Sequence, residues 1–304
     1  RTATARTVRA ASRKARSAAP ASAPPPPAWL AAIAEDLVDA GSREHYADAA
    51  LYDYEYRRRR ADVSFYRDVA RRRLGGPGRI LELGAGTGRV TIPLARDGHE
   101  VVALDQSEAM LGRLRARVDA LPGAVRNRIA ILRGDLRSFE VPGGEKGAKF
   151  PLAIAVFNVL EHLYTRGELM ACLERVAAHL EEGGAFVFDV QLPDLPWLSR
   201  DPDRRWARTR FTDPSTGRAM YYSTNHDYDP ISQIAMIRLF YDPVDGGPGR
   251  VVKLSQRKYF PAELEALVAH AGFRVTARYG DFRFAPLTAG AESQVLVCER
   301  VRRR

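Results

Sequence analysis

Short apolar runs alternate with helical patterns along the middle of the chain. Five of these runs have the length and apolar content of buried strands, and helical patterns separate several of them. In one helical pattern, Met110, Leu111, Leu114 and Val118 share a face. The alternation predicts a doubly wound parallel α/β sheet. The predicted strands are RILEL (79–83), EVVALD (100–105), IAILRGD (129–135), PLAIAVFN (151–158) and AFVFDV (185–190).

The helix after the fourth predicted strand has a defined start in the sequence. Thr165 and Glu168 have the spacing of a capping box, in which each side chain satisfies a backbone N–H at the helix N-terminus. Apolar residues then recur in helical register as far as Leu180. The glycines at 183–184 predict the end of this helix.

The pattern changes between residues 196 and 260. Runs rich in aromatic and β-branched residues are divided by turn signals at Asp229-Pro230 and at residues 246–248. These runs predict an antiparallel β insertion. The α/β layout then resumes with a helix that starts at Pro261, followed by two final strands at 274–280 and 293–300.

The N-terminal part of the chain divides near residue 28. Residues 1–28 are Ala, Arg, Ser, Thr and Pro, a composition that predicts a disordered tail. Two helices are predicted beyond it, at about 29–40 and 60–73, with the aromatic-rich segment 45–56 between them. We therefore divide the chain into the tail (1–28), a helical cover (29–75), a core (76–195), the insertion (196–260) and a C-terminal completion of the sheet (261–300).

The net charge of +10 would indicate a nucleic-acid surface if it covered one folded face. Instead it is concentrated at the two ends of the chain. Residues 1–24 carry six basic residues and no acid, and residues 300–304 carry four arginines. The rest of the chain is close to neutral, so we do not expect nucleic acid as the partner.

Location and metal content are constrained by what the sequence lacks. No apolar run reaches the ~18–20 residues of a membrane helix. Cys172 and Cys298 are too few for a disulfide framework in a chain of this length, so we expect a reducing, cytoplasmic location. The Arg/Ser/Ala-rich N-terminus leaves organelle targeting as an alternative. The histidines show no metal-ligand spacing, and we expect no metal.

Three glycines at alternate positions, Gly84, Gly86 and Gly88, lie between the first predicted strand and a helix. Backbone N–H groups at such a position can approach a ligand at the positive end of a helix dipole. The spacing is Gly-x-Gly-x-Gly, whereas dinucleotide-binding loops have Gly-x-Gly-x-x-Gly. Glu82 favours a cationic group near the loop, such as an ammonium. Asp105 ends the second strand, where a carboxylate can bind two ribose hydroxyls.

These motifs resemble those of the class I S-adenosylmethionine-dependent methyltransferases over about residues 45–300. LELGAGTG resembles their cofactor loop, ALDQSEAML their second-strand motif, and RGD and VFNVLEHL the segments after strands three and four. The resemblance implies a Rossmann-like seven-stranded sheet whose last strand is antiparallel, with S-adenosylmethionine as the cofactor. By the same resemblance, the cofactor-binding residues are Glu82, Gly84, Ala85, Gly86, Gly88, Asp105, Gln106, Met110, Asp135, Leu136 and Asn158.

The acceptor is expected to be a small molecule. Methyltransferases that act on nucleobase amino groups usually carry an Asn/Asp-Pro-Pro-aromatic motif after strand four, and residues 158–161 lack proline. The EHL segment and the insertion resemble the small-molecule branch, which includes glycine N-methyltransferase-like and amino-sugar N-methyltransferases. That branch implies His162 as the base and Tyr52 as a tyrosine near the cofactor, with Tyr56 an equal fit. Methyl transfer to nitrogen or oxygen is expected.

For several other polar residues, the sequence fits both a structural role and a functional role. Arg238 and Arg257 either hold an anionic acceptor or lie on a solvated strand face. Asp281 binds a cationic acceptor or caps a turn, and Gln191 lies on the same predicted rim. The aromatic residues of the insertion form a small core, an acceptor lid or the surface of a homodimer.

Three rival functions follow from the same residues. The basic tails would suit methylation of RNA or protein. The cofactor loop would also suit a non-catalytic S-adenosylmethionine-binding protein. A nicotinamide oxidoreductase is disfavoured by the glycine spacing and by Glu82.

Overall fold

Residues 28–143 and 147–301 are described by a computed structural model of the chain, so the predicted tail lies outside them except for Ala28. The helices are α1 (Ala28–Ala47), α2 (Ala49–Tyr56), α3 (Ala61–Leu74), α4 (Thr91–Arg96), α5 (Glu108–Asp119), α6 (Gly123–Arg126), α7 (Arg166–His179), α8 (Leu195–Leu198) and α9 (Pro261–His270). The strands are β1 (Arg79–Leu83), β2 (Glu100–Asp105), β3 (Ile129–Arg133), β4 (Phe150–Ala155), β5 (Leu180–Gln191), β6 (Trp206–Thr212), β7 (Ala219–Asp229), β8 (Ile234–Pro243), β9 (Arg250–Arg257), β10 (Phe273–Tyr279) and β11 (Ser293–Arg300).

The central feature is a seven-stranded sheet with the order β10-β11-β5-β4-β1-β2-β3. Its strands pair in parallel except at β11, which runs antiparallel to both β5 and β10. The four strands of the insertion form a separate antiparallel sheet with the order β6-β7-β8-β9. The predicted fold class is confirmed, including the antiparallel last strand and the β insertion.

Both faces of the large sheet are covered by helices. Alternate residues of a strand point to opposite faces. Leu81 packs with Leu173 of α7 and Leu264 of α9, whereas the adjacent Ile80 packs with Phe65 of α3. Burial on both faces explains why the central strands read as continuous apolar runs. It also leaves the strand ends as the place where polar chemistry can collect.

The small sheet is tied to α1 and α2. Leu51 of α2 is buried with Tyr241 and Leu254, and four other aromatic residues of the insertion pack around this cluster: Trp197, Phe211, Tyr222 and Tyr228. A Cβ at Gly41 of α1 would come within 2.6 Å of the Ser255 backbone nitrogen, so α1 lies directly against β9. Many of the insertion's aromatic residues therefore form its own core.

Two predicted helix boundaries were wrong. The aromatic segment 45–56 is helical, because α1 extends to Ala47 and Asp48 caps α2 by accepting the Leu51 N–H at 2.9 Å. Because tyrosines lie on both faces of α2, its sequence shows no amphipathic periodicity. Further along, α7 ends at His179, because parallel pairing of Leu180 with Phe150 already starts β5. The predicted stop at glycines 183–184 lies inside that strand.

Candidate active site

The three glycines of the loop after β1 have different roles. All three have positive φ angles, of 65°, 55° and 81° for Gly84, Gly86 and Gly88. A Cβ at Gly84 would meet Val159 at 2.3 Å, and one at Gly88 would meet Leu114 at 2.3 Å. A Cβ at Gly86 would meet nothing within 4 Å. Gly84 and Gly88 thus allow close packing, and Gly86 faces the space that a ligand can fill.

Asp105 is held at the end of β2 by the backbone of the same loop. Its Oδ2 accepts the Gly86 N–H and its Oδ1 accepts the Ser107 N–H, both at 2.8 Å. Burial raises the pKa of this carboxyl, and the backbone donors oppose that rise. Each oxygen keeps a lone pair for a further donor. The cradle at Gly86 and this oriented carboxylate fit a ribose with two hydroxyls.

Glu82 is buried in β1, two residues before the loop. Its Oε2 accepts the hydroxyl hydrogen of Thr91 at 2.6 Å. Burial raises the pKa of Glu82 to about 7, with Thr91 and Arg89 opposing the rise. A cation placed beside this carboxyl would favour its ionised form. The residue therefore fits the ammonium that the sequence predicted near it.

The residues predicted to bind adenine divide into two groups. Met110 is buried at the start of α5, Leu136 packs partly buried against the core, and Gln106 is exposed. The carboxylate of Asp135 instead accepts hydrogen bonds from the guanidinium of Arg137, with distances from 2.6 to 3.1 Å. This pair lowers the pKa of Asp135. An adenine amino group would have to share Asp135 with Arg137.

The turn after β4 is shaped by a buried acid that sequence reasoning missed. Phe157 and Asn158 both have positive φ, near 69° and 61°, which is costly for residues other than glycine. Asp189, at the end of β5, accepts the N–H of Phe157 at 2.9 Å and that of Asn158 at 3.2 Å. Tyr66 donates its hydroxyl to the same carboxylate at 2.6 Å. No local signal marks Asp189, because it lies within an apolar strand.

His162 follows this turn, and its ring contacts two tyrosine hydroxyls. Its Nε2 lies 2.6 Å from the hydroxyl of Tyr46, and its Nδ1 lies 3.4 Å from that of Tyr164. The Tyr164 hydroxyl also lies 2.6 Å from Oγ of Ser255 in β9. Burial lowers the pKa of His162 to about 4, with smaller effects of His45 and Lys258. The imidazole is therefore neutral at neutral pH.

Tyr52 lies in an aromatic cluster formed by α1 and α2. Its ring centre is 5.9 Å from that of Tyr46 and 4.7 Å from that of Tyr56. Burial raises the pKa of Tyr52, Arg89 opposes this rise, and the charge of Asp105 adds to it. The cluster thus lies between Asp105 and His162. Tyr46, which sequence reasoning missed, is the tyrosine bonded to His162.

A buried ion pair joins the small sheet to the turn after β4. Lys258 follows β9 and is 1% exposed, and its Nζ lies 2.7 Å from Oε2 of the fully buried Glu161. The same Nζ donates to Oε1 of Gln191 at 2.6 Å and to Oε1 of Gln256 at 3.0 Å. Sequence reasoning missed Lys258, since no pattern around it signals burial.

The three charged residues for which the sequence allowed two roles all bond to other residues of the chain. Arg257 pairs with Glu263, and Arg238 contacts Asp227 and donates to Asn225 at 2.8 Å. Asp281 accepts the N–H groups of Arg283 and Ala285 at 2.8 and 3.0 Å, so it caps a turn. These contacts supply the structural role for each of the three residues.

A cavity of about 660 Å³ opens beside the turn after β4. We call it the rim cavity, and it is bounded by residues 58–62, Asn158, Gln191, residues 280–282 and the segment 285–293. It lies where β4, β5 and β10 end, at the edge where open α/β sheets bind their ligands. His162 is not in its wall, but Asn158 is, so the cavity reaches the turn that precedes His162.

Two classes of feature are missing from residues 28–143 and 147–301. In this part of the chain, His, Cys, Asp and Glu side chains form no group of three or more that could hold a metal ion. No helix there is both long and apolar enough to cross a membrane.

Comparison with known proteins identifies the domain. A methyltransferase-domain family model matches residues 80–184. The dTDP-3-amino-3,4,6-trideoxy-alpha-D-glucopyranose N,N-dimethyltransferase of Streptomyces venezuelae is 31% identical over 53% of this chain and 66% of that protein, just under two thirds of its length. The CcbJ methyltransferase from Streptomyces caelestis has a TM-score of 0.68 at 25% identity, covering 84% of this chain and 98% of that one.

A third protein adds to the fold assignment. CalS10 from Micromonospora echinaspora, an amino pentose methyltransferase solved with S-adenosylmethionine, has a TM-score of 0.60 at 20% identity, covering 82% of this chain and 95% of that one. The comparisons confirm the class I methyltransferase fold expected from the sequence, with a methyltransferase domain over residues 80–184. They support the expected enzyme class and S-adenosylmethionine as the cofactor.

Proposed function

We propose that this class I S-adenosylmethionine-dependent methyltransferase methylates the nitrogen of a small-molecule amine. The observation that carries the proposal is the neutral imidazole of His162, held by Tyr46 just after the turn at Asn158. A neutral ring accepts the hydrogen bond of the Tyr46 hydroxyl at Nε2, so the Tyr46 oxygen can accept one from an N–H group, and the ring does not repel a cation. The names of the Streptomyces venezuelae and Micromonospora echinaspora proteins, which both act on amino sugars, support the same acceptor class.

Each part of the site has a separate task in this reaction. When bound, S-adenosylmethionine supplies a methyl group on a positively charged sulfur. Asp105 and the Gly86 backbone hold the ribose, and Glu82 favours the ammonium. Asn158 is fixed in its strained turn by Asp189, which positions the turn for the transfer. Most of the rate enhancement then comes from alignment.

The nitrogen nucleophile must be unprotonated when it attacks, so one proton leaves the amine in each cycle. The His162–Tyr46 pair can take up an N–H proton of the acceptor, with the hydroxyl of Tyr46 passing it to Nε2. A pKa near 4 makes His162 a weak base, so the ring passes the proton on and does not hold it. The pair is therefore a relay that does not stay charged.

The rim cavity suits a polar acceptor. Asn158, Gln191 and Glu292 supply amide and carboxylate groups to its wall, and Phe282 supplies an apolar surface. Hydroxyl and amino groups of a sugar are satisfied by such a mixture. The open path from this cavity to Asn158 provides a route for the acceptor to the turn before His162.

The proposal is tested with labelled S-adenosylmethionine and a panel of primary amines, free and nucleotide-linked amino sugars, and the matching alcohols. We expect label on nitrogen, and we expect His162→Gln to lower kcat at least tenfold with an unchanged KM for the methyl donor. His270→Gln is the matched control, because His270 is an exposed histidine at the end of α9. Label found only on oxygen, RNA or peptide would overturn the proposal.

A further inference from the structure

A second cavity lies on the outer side of the glycine loop. It has a volume of about 610 Å³ and is bounded by the end of α2, the start of α3, α4 and α5. Seven of its thirteen lining residues are arginines, and Asp53 is the one acid among those thirteen. We call it the arginine cavity. Tyr52 and Tyr56 also line it, whereas the residues predicted to bind the cofactor and His162 do not.

The carboxylates near this cavity are shared between arginines. Arg113 donates to Asp53 at 2.9 Å, and Arg117 lies 3.6 Å from the same carboxylate, which also accepts the hydroxyl of Thr87. The side chains of Asp53, Arg113 and Arg117 are 22%, 48% and 37% exposed, so this pair of contacts borders solvent. One negative charge here serves two guanidinium groups.

The deeper wall repeats this arrangement. Arg59 and Arg89 both contact the fully buried Asp62, at 3.1 and 2.8 Å. Arg67 has its own partner, Asp97. Seven guanidinium groups therefore face three carboxylates, an excess of four positive charges around one cavity.

Two of the arginines have no carboxylate partner in the described part of the chain. Arg57 donates to the carbonyl of Tyr54 and lies over its ring, 3.6 Å from the centroid. Arg60 is exposed at the start of α3, and its side chain makes no hydrogen bond or ion pair with the described residues. Arg60 keeps its guanidinium donors available to a ligand, and Arg57 keeps those that do not bond to Tyr54.

The arginines also crowd one another. Burial lowers the pKa of Arg117, and the nearby Arg113 and Arg96 add to this effect while Asp53 opposes it. Clusters of like charge are costly unless an anion compensates them. Guanidinium groups bind phosphate through paired hydrogen bonds of fixed geometry.

We propose that the arginine cavity binds a phosphorylated small molecule that carries two or more negative charges. A diphosphate would compensate most of the excess charge, and the volume is in the range of small-molecule sites. The single carboxylate of S-adenosylmethionine would leave most of that excess in place. The phosphate belongs either to the acceptor or to a separate ligand, because Arg59 and Arg60 border both this cavity and the rim cavity.

The test is calorimetric titration of the full chain with inorganic pyrophosphate at constant ionic strength. We expect the double variant Arg57→Ser/Arg60→Ser to weaken pyrophosphate binding at least tenfold. Neither substitution leaves an acid unpaired, and serine is a favoured N-cap residue at position 60. The matched control is Arg126→Ser/Arg166→Ser, which removes the same charge from exposed positions outside the cavity.

Three results would overturn the proposal: no binding by the wild type, equal weakening by the control variant, or displacement of pyrophosphate by S-adenosylmethionine. The last would assign the cavity to the cofactor. These binding results do not depend on methyl transfer, so they stand apart from the proposed acceptor. Where an acceptor is known, competitive inhibition by pyrophosphate assigns the phosphate to the acceptor, and an unchanged acceptor KM assigns it to a separate ligand.

Discussion

The glycine loop and the turn after β4 lie at the ends of adjacent strands, and they are held in place by different means. The loop is fixed within its own βαβ unit, where the Ala85 N–H donates to the Leu104 carbonyl and the Gly86 N–H donates to the carboxylate of Asp105. The turn is fixed by buried side chains of distant segments, namely Asp189 and the Glu161–Lys258 pair. The methyl-donor side therefore depends on contacts within one βαβ unit, and the acceptor side depends on buried charges from distant segments.

This difference predicts where single substitutions are most damaging. A buried ion pair loses its compensation when one partner is removed, and the remaining charge is then stranded away from water. The bond from Ala85 to Leu104 joins two backbone groups, so no side-chain substitution deletes it, and Asp105 lies partly open to solvent. The acceptor side is thus the more fragile part of the site.

The largest expected effect is that of Lys258→Met. Glu161 is fully buried, and this substitution leaves its charge without a cation. We expect the free energy of unfolding to fall by about 3–5 kcal/mol, measured by urea denaturation at pH 7. Adding Glu161→Gln should recover part of the loss, because an amide oxygen can still accept the Gln191 N–H.

Lys253→Met, in the strand that directly precedes Lys258, provides the control. Lys253 and its partner Glu44 are 38% and 36% exposed, so we expect a loss below about 1 kcal/mol. If Lys258→Met costs no more than Lys253→Met, the acceptor side is not held by buried charge and the comparison fails.

A smaller effect is expected on the methyl-donor side, from Glu82→Gln. The pKa of Glu82 is raised from 4.5 to about 7, so the native protein binds a proton that the unfolded chain has released. The free energy of unfolding therefore decreases as the pH rises through this window, by about 3 kcal/mol for this group. Glu82→Gln should remove that decrease, which urea denaturation between pH 4.5 and 8 would measure.

Glu100→Gln is the matched variant on the neighbouring strand, where the Glu100 side chain is 71% exposed. The difference between this variant and the wild type should be independent of pH over the same range. Histidines that titrate in this window are common to all three proteins and cancel in the differences. A pH-independent effect of Glu82→Gln would show that Glu82 is ionised throughout.

The same comparison explains how much of the site the sequence predicted. The residues predicted on the methyl-donor side lie in one short stretch: three glycines follow one strand and Asp105 ends the next, so their spacing is visible in the sequence. The residues on the acceptor side are far apart in the sequence, and no local sequence pattern connects them. Tyr46 and His162 are 116 positions apart, and Glu161 and Lys258 are 97 apart.

The fold was predictable for a related reason. Strands buried on both faces leave apolar runs that periodicity detects, and both sheets were predicted from them. The aromatic segment that became α2 was not predicted as a helix, because its rings face the small sheet on one side and the site on the other. The positions of its apolar residues reflect contacts that exist only in the tertiary structure, so sequence periodicity did not reveal the helix.

The smallest expected effect comes from Tyr46→Phe, which tests whether the acceptor side also uses neutral hydrogen bonds. The Tyr46 hydroxyl lies 2.6 Å from His162 Nε2, and both groups are uncharged at neutral pH. Losing such a bond costs about 1 kcal/mol, or five- to tenfold in kcat if the hydroxyl relays the proton. The affinity for S-adenosylmethionine should not change, because Tyr46 does not contact the loop.

Tyr54→Phe is the control that distinguishes a proton relay by Tyr46 from a role in packing alone. Tyr54 lies on α2 and packs its ring against Phe211, and no described residue hydrogen-bonds to its hydroxyl. Its removal should leave kcat unchanged. Equal rates for the two variants would mean that the neutral pair only fills space, and the buried charges of Glu161, Lys258 and Asp189 would then be sufficient to hold the acceptor side. A selective loss in Tyr46→Phe would add a proton-conducting hydrogen bond to those charges.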